Sequence, residues 1–123
     1  MLMKLYESSE DYLESILVLT NKNGSVRSID VVNDLHFSKP SVSVAMKKLR
    51  DNGYINIDKK GLITLTEEGY RVASKIYERH LLLTKLFVSL GVDEETARKD
   101  ACRVEHDLSD ETFAALKKSM ERK

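Results

Sequence analysis

An internal disulfide is excluded at once, because the 123-residue chain holds a single cysteine, Cys102. That thiol fits a reducing compartment and stays available for metal or redox chemistry. Long apolar runs are missing as well. None approaches the ~18 residues that read as a membrane span, and the opening MLMKLYESSEDY has neither the apolar centre nor the small-residue cleavage site of a signal peptide. A cytoplasmic protein with no membrane partner is expected. Net charge is also absent, since 20 Lys and Arg balance 20 Asp and Glu, so the chain as a whole favours neither a polyanion nor an anionic lipid surface. No internal repeat and no low-complexity tract is present, and no small organic ligand is expected.

The charge that is present is unevenly distributed. Residues 39 to 50 carry four basic side chains (Lys39, Lys47, Lys48 and Arg50) and no acid, whereas residues 93 to 111 carry eight acids against three Lys or Arg. One part of the chain is suited to meeting an anion and the other to holding cations. The length allows one domain, or two small units sharing a long helix.

Apolar spacing predicts a first helix from about Ser9 to Lys22 with Leu13, Ile16, Leu17 and Thr20 facing inward, ended by NKNG. Ser28 can cap a short second helix through Leu35. Ser38 caps a third, with Pro40, the only proline, in its first turn and Val42, Ala45, Met46 and Leu49 inward. YINID, KKG and LITLT then alternate apolar and polar residues around a glycine turn, the pattern of a hairpin. Glu67 and Glu68 open a long helix to about Leu90, Asp93 caps the next, and Ser109 starts the last.

Helix, short turn, helix and two-stranded hairpin is the order of a winged helix-turn-helix, whose later helix enters the major groove of double-stranded DNA. Here that helix spans residues 39 to 51. Ser38, Lys39, Pro40, Ser41, Val44, Lys47 and Lys48 are its candidate DNA-facing residues, joined by Lys59 and Lys60 at the hairpin tip. The lysines suit phosphates, Ser41 a base or phosphate, and Val44 a thymine methyl group. A small helical domain with a solvated lysine face, or a winged helix that binds protein, fits the same pattern.

CRVEH, residues 102 to 106, places a thiol, a carboxylate and an imidazole at i, i+3 and i+4, one face of a helix. That face lies beside the stripe Ala97, Ala101, Val104 and Leu108 and is expected to be half-buried. On the long helix His80 falls within the stripe Val72, Ile76, Leu83, Phe87 and Leu90; singly it reads as a core histidine with a polar partner. Asp11 and Glu14, i and i+3 on the first helix, read singly as a solvated pair. Together Asp11, Glu14, His80, Cys102, Glu105 and His106 form a mixed oxygen, nitrogen and sulfur set of the kind that binds divalent first-row metals.

EDYLESI, FSKPSVSVAMKKLRDNGYI, ERHLLL, LGVDEE and CRVEHDLS resemble, in order and spacing, the diphtheria toxin repressor and manganese transport regulator family of metal-dependent repressors, over nearly the whole chain. The resemblance implies a mainly α protein: a winged helix-turn-helix DNA-binding domain, here residues 1 to 66, followed by a helical metal-binding and dimerisation domain, residues 67 to 123. It also implies that Asp11, Glu14, His80, Cys102, Glu105 and His106 are the metal ligands. Asp11 and Glu14 match the manganese branch, but Cys102 matches the iron branch. Thr84 and Lys99 stand where the iron branch has a Glu and a His of its ancillary site, so that second site is not expected in that form. The chain ends soon after the last helix, so the C-terminal barrel of many iron regulators is not expected either.

The function implied is a homodimeric transcriptional repressor that binds operator DNA with Fe(II) or Mn(II), taking Zn(II) or Co(II) in vitro. Leu81, Leu82, Leu86, Phe113, Leu116 and Met120 supply apolar surface for the dimer. Two alternatives remain: a metal-independent winged-helix regulator with Cys102 as redox sensor, and a small metalloenzyme. Six protein ligands leave an enzyme little room for an open coordination position.

Overall fold

The computed structural model describes residues 7–122. Its elements are α1 (Glu7–Asn23), α2 (Ser28–Leu35), α3 (Lys39–Asp51), β1 (Ile55–Ile57), β2 (Ile63–Leu65), α4 (Glu67–Ser89), α5 (Glu94–Val104) and α6 (Asp110–Glu121). The chain divides into two compact units, the first ending at Ser74 and the second starting at Lys75, both within α4. Among the described residues, no helix is long and apolar enough to cross a membrane.

In the first unit Leu13, Ile16, Val31, Val42, Met46, Leu49, Ile55 and Ile63 are all at most 2 % exposed, so α1, α2, α3 and the hairpin contribute to one core. The helix boundaries have local causes. Arg27, not Ser28, is the N-cap of α2, and Asp30 accepts its backbone N–H at 2.8 Å. Ser38 accepts the Ser41 N–H at 3.3 Å, and Pro40 in the first turn of α3 gives up a donor that has no helical partner there. Between α2 and α3 the chain turns at His36, whose φ of 59° is the one left-handed non-glycine conformation among the described residues. Its N–H closes α2 on the Val32 carbonyl at 2.9 Å. Ser15, buried in α1, donates to Asp34 at 2.7 Å and ties α1 to α2.

The hairpin is antiparallel, pairing Ile55 with Leu65, Asn56 with Thr64 and Ile57 with Ile63. Its tip is held by Asp58, whose carboxylate accepts the N–H groups of Lys60 at 2.8 Å and Leu62 at 2.9 Å while Gly61 takes the positive φ. Where α4 leaves the hairpin, Gly69 meets the Tyr54 carbonyl so closely that a Cβ would fall 1.9 Å from its oxygen. Only glycine allows this approach.

In the second unit Asp93 caps α5 by accepting the Thr96 N–H at 3.0 Å, and Ser109 caps α6 by accepting that of Thr112 at 3.0 Å. The expected helix through CRVEH is shorter than its spacing suggests. Regular α5 stops at Val104, with Glu105 as its C-cap and His106 in the following turn. Phe113, read as dimer surface, is instead buried beneath the Arg79 guanidinium, 5.3 Å from the ring centre.

Candidate metal centre and nucleic-acid interface

His80 sits mid-way along α4, and the end of α5 with its following turn brings three more donors towards it. His80 Nδ1 lies 3.1 Å from Oε2 of Glu105 and 3.7 Å from Sγ of Cys102. The donor atoms of His80, Cys102 and Glu105 all lie within 4.8 Å of one another. His106 joins from the other side, its Nε2 being 3.6 Å from Oε1 of Glu105. The face is graded rather than uniformly half-buried, since Cys102 is exposed and the Glu105 side chain is 0 % exposed.

A buried carboxylate without full compensation is costly. Glu105 has partial compensation: Oε2 meets the His80 imidazole, whereas Oε1 is buried with no hydrogen-bond partner. Cys102 first and Glu105 second favour the protonated imidazole, and together they push the His80 pKa up to about 10 against the opposing effect of burial. A positive charge is therefore wanted between these groups. The proton on His80 supplies it in the metal-free chain, and a divalent cation would supply it better, reaching one nitrogen, one sulfur and a carboxylate oxygen. The residues present fit such an ion. Asp11 and Glu14 lie one turn apart on α1, in the first unit.

Sequence reasoning missed Arg79. Its side chain is 4 % exposed, it donates through Nη1 to the carbonyls of Glu105 at 3.0 Å and Leu108 at 2.5 Å, and Nη2 meets Oδ1 of Asp110 at 2.6 Å. Lys75 also reaches Asp110, at 2.8 Å, and with Arg79 holds its carboxyl below the usual carboxylate range. The charged arginine in ERHLLL gave no sign of burial.

On the first unit, Ser38, Lys39, Pro40, Ser41, Val44, Lys47, Lys48, Lys59 and Lys60 are all exposed. Val44 is 54 % exposed on an otherwise polar face of α3. It borders a cleft of about 540 Å³ between α1 and α3, whose lining adds Ser8, Ser9 and Tyr12 to the residues that the sequence singled out. The Ser38 hydroxyl donates to that of Ser41 at 2.8 Å, so the two act as a pair at the N-terminus of α3. Asp58 and Arg27, which donates to the Lys60 carbonyl, fix the backbone that carries Lys59 and Lys60. The DKKG run around the tip is a recognisable signal for Asp58; nothing in the sequence marks Arg27.

Comparison with known proteins joins the two halves. Residues 4–63 match the iron dependent repressor N-terminal DNA binding domain, and residues 66–122 match the iron dependent repressor metal binding and dimerisation domain. An HTH-type transcriptional regulator of Methanocaldococcus jannaschii, itself uncharacterized, is 39 % identical over 118 residues, 94 % of each chain. The chain belongs to the iron-dependent repressor family. The transcriptional regulator MntR of Escherichia coli O6:H1 is 35 % identical over 111 residues, 90 % of this chain and 72 % of that protein. A manganese-dependent transcriptional repressor in complex with manganese superposes with a TM-score of 0.83 at 26 % identity, over 92 % of this chain and 52 % of that one. The chain thus spans about half the length of that repressor structure. Iron-dependent repressor family membership makes it a metal-dependent transcriptional regulator, not an enzyme, with a divalent cation as its effector.

Proposed function

We propose that this chain is a cytoplasmic repressor that binds operator DNA as a homodimer when Fe(II) or Mn(II) is bound, and so adjusts metal homeostasis. The observation that carries the reading is the His80, Cys102 and Glu105 cluster, with donor atoms within 4.8 Å of one another and the Glu105 carboxylate buried among them. His80, Cys102, Glu105 and His106 are its ligands from the second half of the chain. Asp11 and Glu14 are assigned as further ligands on the sequence resemblance. A bound cation supplies the positive charge that such a carboxylate-rich set needs.

The domain division proposed is a DNA-binding domain over residues 1 to 66 and a metal-binding and dimerisation domain over 67 to 123. Ligands drawn from both halves of the sequence couple the two binding events: bound metal tightens DNA binding, and bound DNA tightens metal binding by the same factor. The reading face is α3 with the hairpin tip. Lys39, Lys47, Lys48, Lys59 and Lys60 neutralise phosphates, while Ser41 and Val44 meet base edges. The dimer face is the groove of about 520 Å³ between α4 and α6, where Leu81 is 52 % exposed beside Leu82 and Met120. Fe(II) and Mn(II) are the physiological candidates, and Zn(II) or Co(II) serve in vitro. Binding to the DNA upstream of the chain's own gene, with each metal in turn and with chelator, tests the proposal. Equal affinity in chelator overturns it in favour of a metal-independent regulator.

A further inference from the structure

Arg79 is a charged side chain placed where charge is expensive. Its side chain is 4 % exposed, and among the described residues its Nε has no hydrogen-bond partner and its one ionic partner, Asp110, is itself 74 % exposed. An apolar residue over Phe113 would fill the same space without the desolvation, and such replacements are often neutral or stabilising. Stability alone is therefore a poor reason for an arginine here. What the guanidinium does is specific: one nitrogen reaches two carbonyls, Glu105 and Leu108, that bracket the turn after α5, and the other reaches Asp110 in the first turn of α6.

Glu105 is gripped from both ends. Arg79 holds its backbone carbonyl at 3.0 Å, and His80, the next residue of the same helix, meets its carboxylate at 3.1 Å. Adjacent residues of α4 thus address the main chain and the side chain of one buried glutamate. Regular helix ends at Val104 and resumes only at Asp110, so these ties add to the two backbone hydrogen bonds, Glu105 N–H to Ala101 and Asp107 N–H to Val104, that shape residues 105 to 108.

We propose that Arg79 is a positioning residue for the metal centre: by gripping the Glu105 and Leu108 carbonyls together with Asp110, it holds the turn after α5 so that the Glu105 carboxylate stays against His80 and Cys102. This rests on the reading of His80, Cys102 and Glu105 as ligands. Arg79 touches none of the three donor atoms and acts only through the backbone that presents one of them. Lysine cannot replace it, because one ammonium lacks the planar fork that spans two carbonyls and a carboxylate.

The test is Co(II) titration of the full chain and of Arg79→Lys, Arg79→Met and Asp110→Asn, read by the thiolate-to-cobalt charge-transfer band, with helical content measured in parallel without metal. Glu105→Gln is the control for the ligand assignment. Arg79→Lys and Arg79→Met are expected to weaken Co(II) binding by about ten- to a hundredfold, the range for residues that orient metal ligands. They should also shift or diminish the charge-transfer band while helical content holds. Asp110→Asn, which loses the outer tie alone, should weaken binding less. Parent-like affinity and spectrum in folded Arg79→Lys overturn the proposal. If Arg79→Met does not fold, Arg79→Lys and Asp110→Asn decide, and an unchanged spectrum in both overturns it too. A parent with no charge-transfer band, or a Glu105→Gln variant that binds Co(II) normally, instead defeats the ligand assignment beneath it.

Discussion

His80 Nδ1 lies 3.1 Å from Oε2 of Glu105, a carboxylate with no exposure to solvent. The pair makes the proposed metal centre a proton site before it is a cation site. Cys102 and Glu105 push the His80 pKa up to about 10, so at neutral pH the imidazole is protonated, and that proton must leave Nδ1 before the nitrogen can bind a metal. Metal binding is expected to release a proton, and affinity should rise by up to about tenfold per pH unit below the His80 pKa. Calorimetry in buffers of different ionisation enthalpy measures the release; no dependence on buffer would contradict it.

Stability of the metal-free chain should change in the opposite sense. A folded pKa raised to about 10 contributes stability that is present in full below the unfolded histidine value and is lost as pH climbs through about 10. Thermal midpoints of the metal-free protein should therefore fall between neutral and alkaline pH, and the His80→Gln variant should lose that part of the slope. A variant with the parent's slope would show that His80 does not carry it.

In the proposed ligand set Cys102 is the soft donor among harder ones. A thiolate favours Fe(II), Co(II) or Zn(II) over Mn(II) relative to a carboxylate, so Cys102→Glu should move selectivity towards Mn(II). Competitive titrations check this, and an unchanged ranking of metals would remove the thiol from any selective role.

Two backbone positions test the fold that carries the reading face. Gly69→Ala places a Cβ against the Tyr54 carbonyl and should cost about 3 kcal/mol or more, the upper end for overpacking, because backbone cannot yield as a side chain can. His36→Gly should be tolerated at φ 59°, whereas His36→Val should cost at least about 1 kcal/mol. Urea unfolding measures both. A Gly69→Ala midpoint equal to the parent's would mean that the approach of α4 to the hairpin relaxes freely.

Much of this architecture was legible in the sequence because its signals are local. Ser38, Asp93 and Ser109 cap helices where their residue types predict, and Gly61 turns the hairpin between alternating strands. The side-chain cluster of Cys102 and Glu105 was legible as a face, since spacing alone puts the two together. Periodicity does not say how deep a face lies, and so it missed the difference between exposed Cys102 and fully buried Glu105. Nor does it show long-range satisfaction of charge. Arg79 reads as a solvated residue until the carbonyls of Glu105 and Leu108 and the side chain of Asp110 come to it from 26 to 31 positions away. Phe113 read as partner surface for the same reason.

Lys48 separates phosphate contacts from the metal centre. It is exposed on α3 near Val44, and Lys48→Ala should weaken binding to all DNA sequences and reduce the salt slope by about one, leaving metal affinity unchanged. Val44→Ala should instead weaken the operator more than unrelated DNA. A Lys48→Ala protein with the parent's salt dependence would take that residue off the phosphate path.

The most direct test of the central claim is the affinity for operator DNA with saturating Mn(II) or Fe(II) against the affinity in chelator, for the parent and for His106→Ala. Reciprocal coupling of ordinary size predicts about 5- to 150-fold tighter binding by the parent with metal. His106→Ala should need more metal to reach the same affinity, with helical content intact. Operator binding as tight in chelator as in metal, in both proteins, would contradict the account.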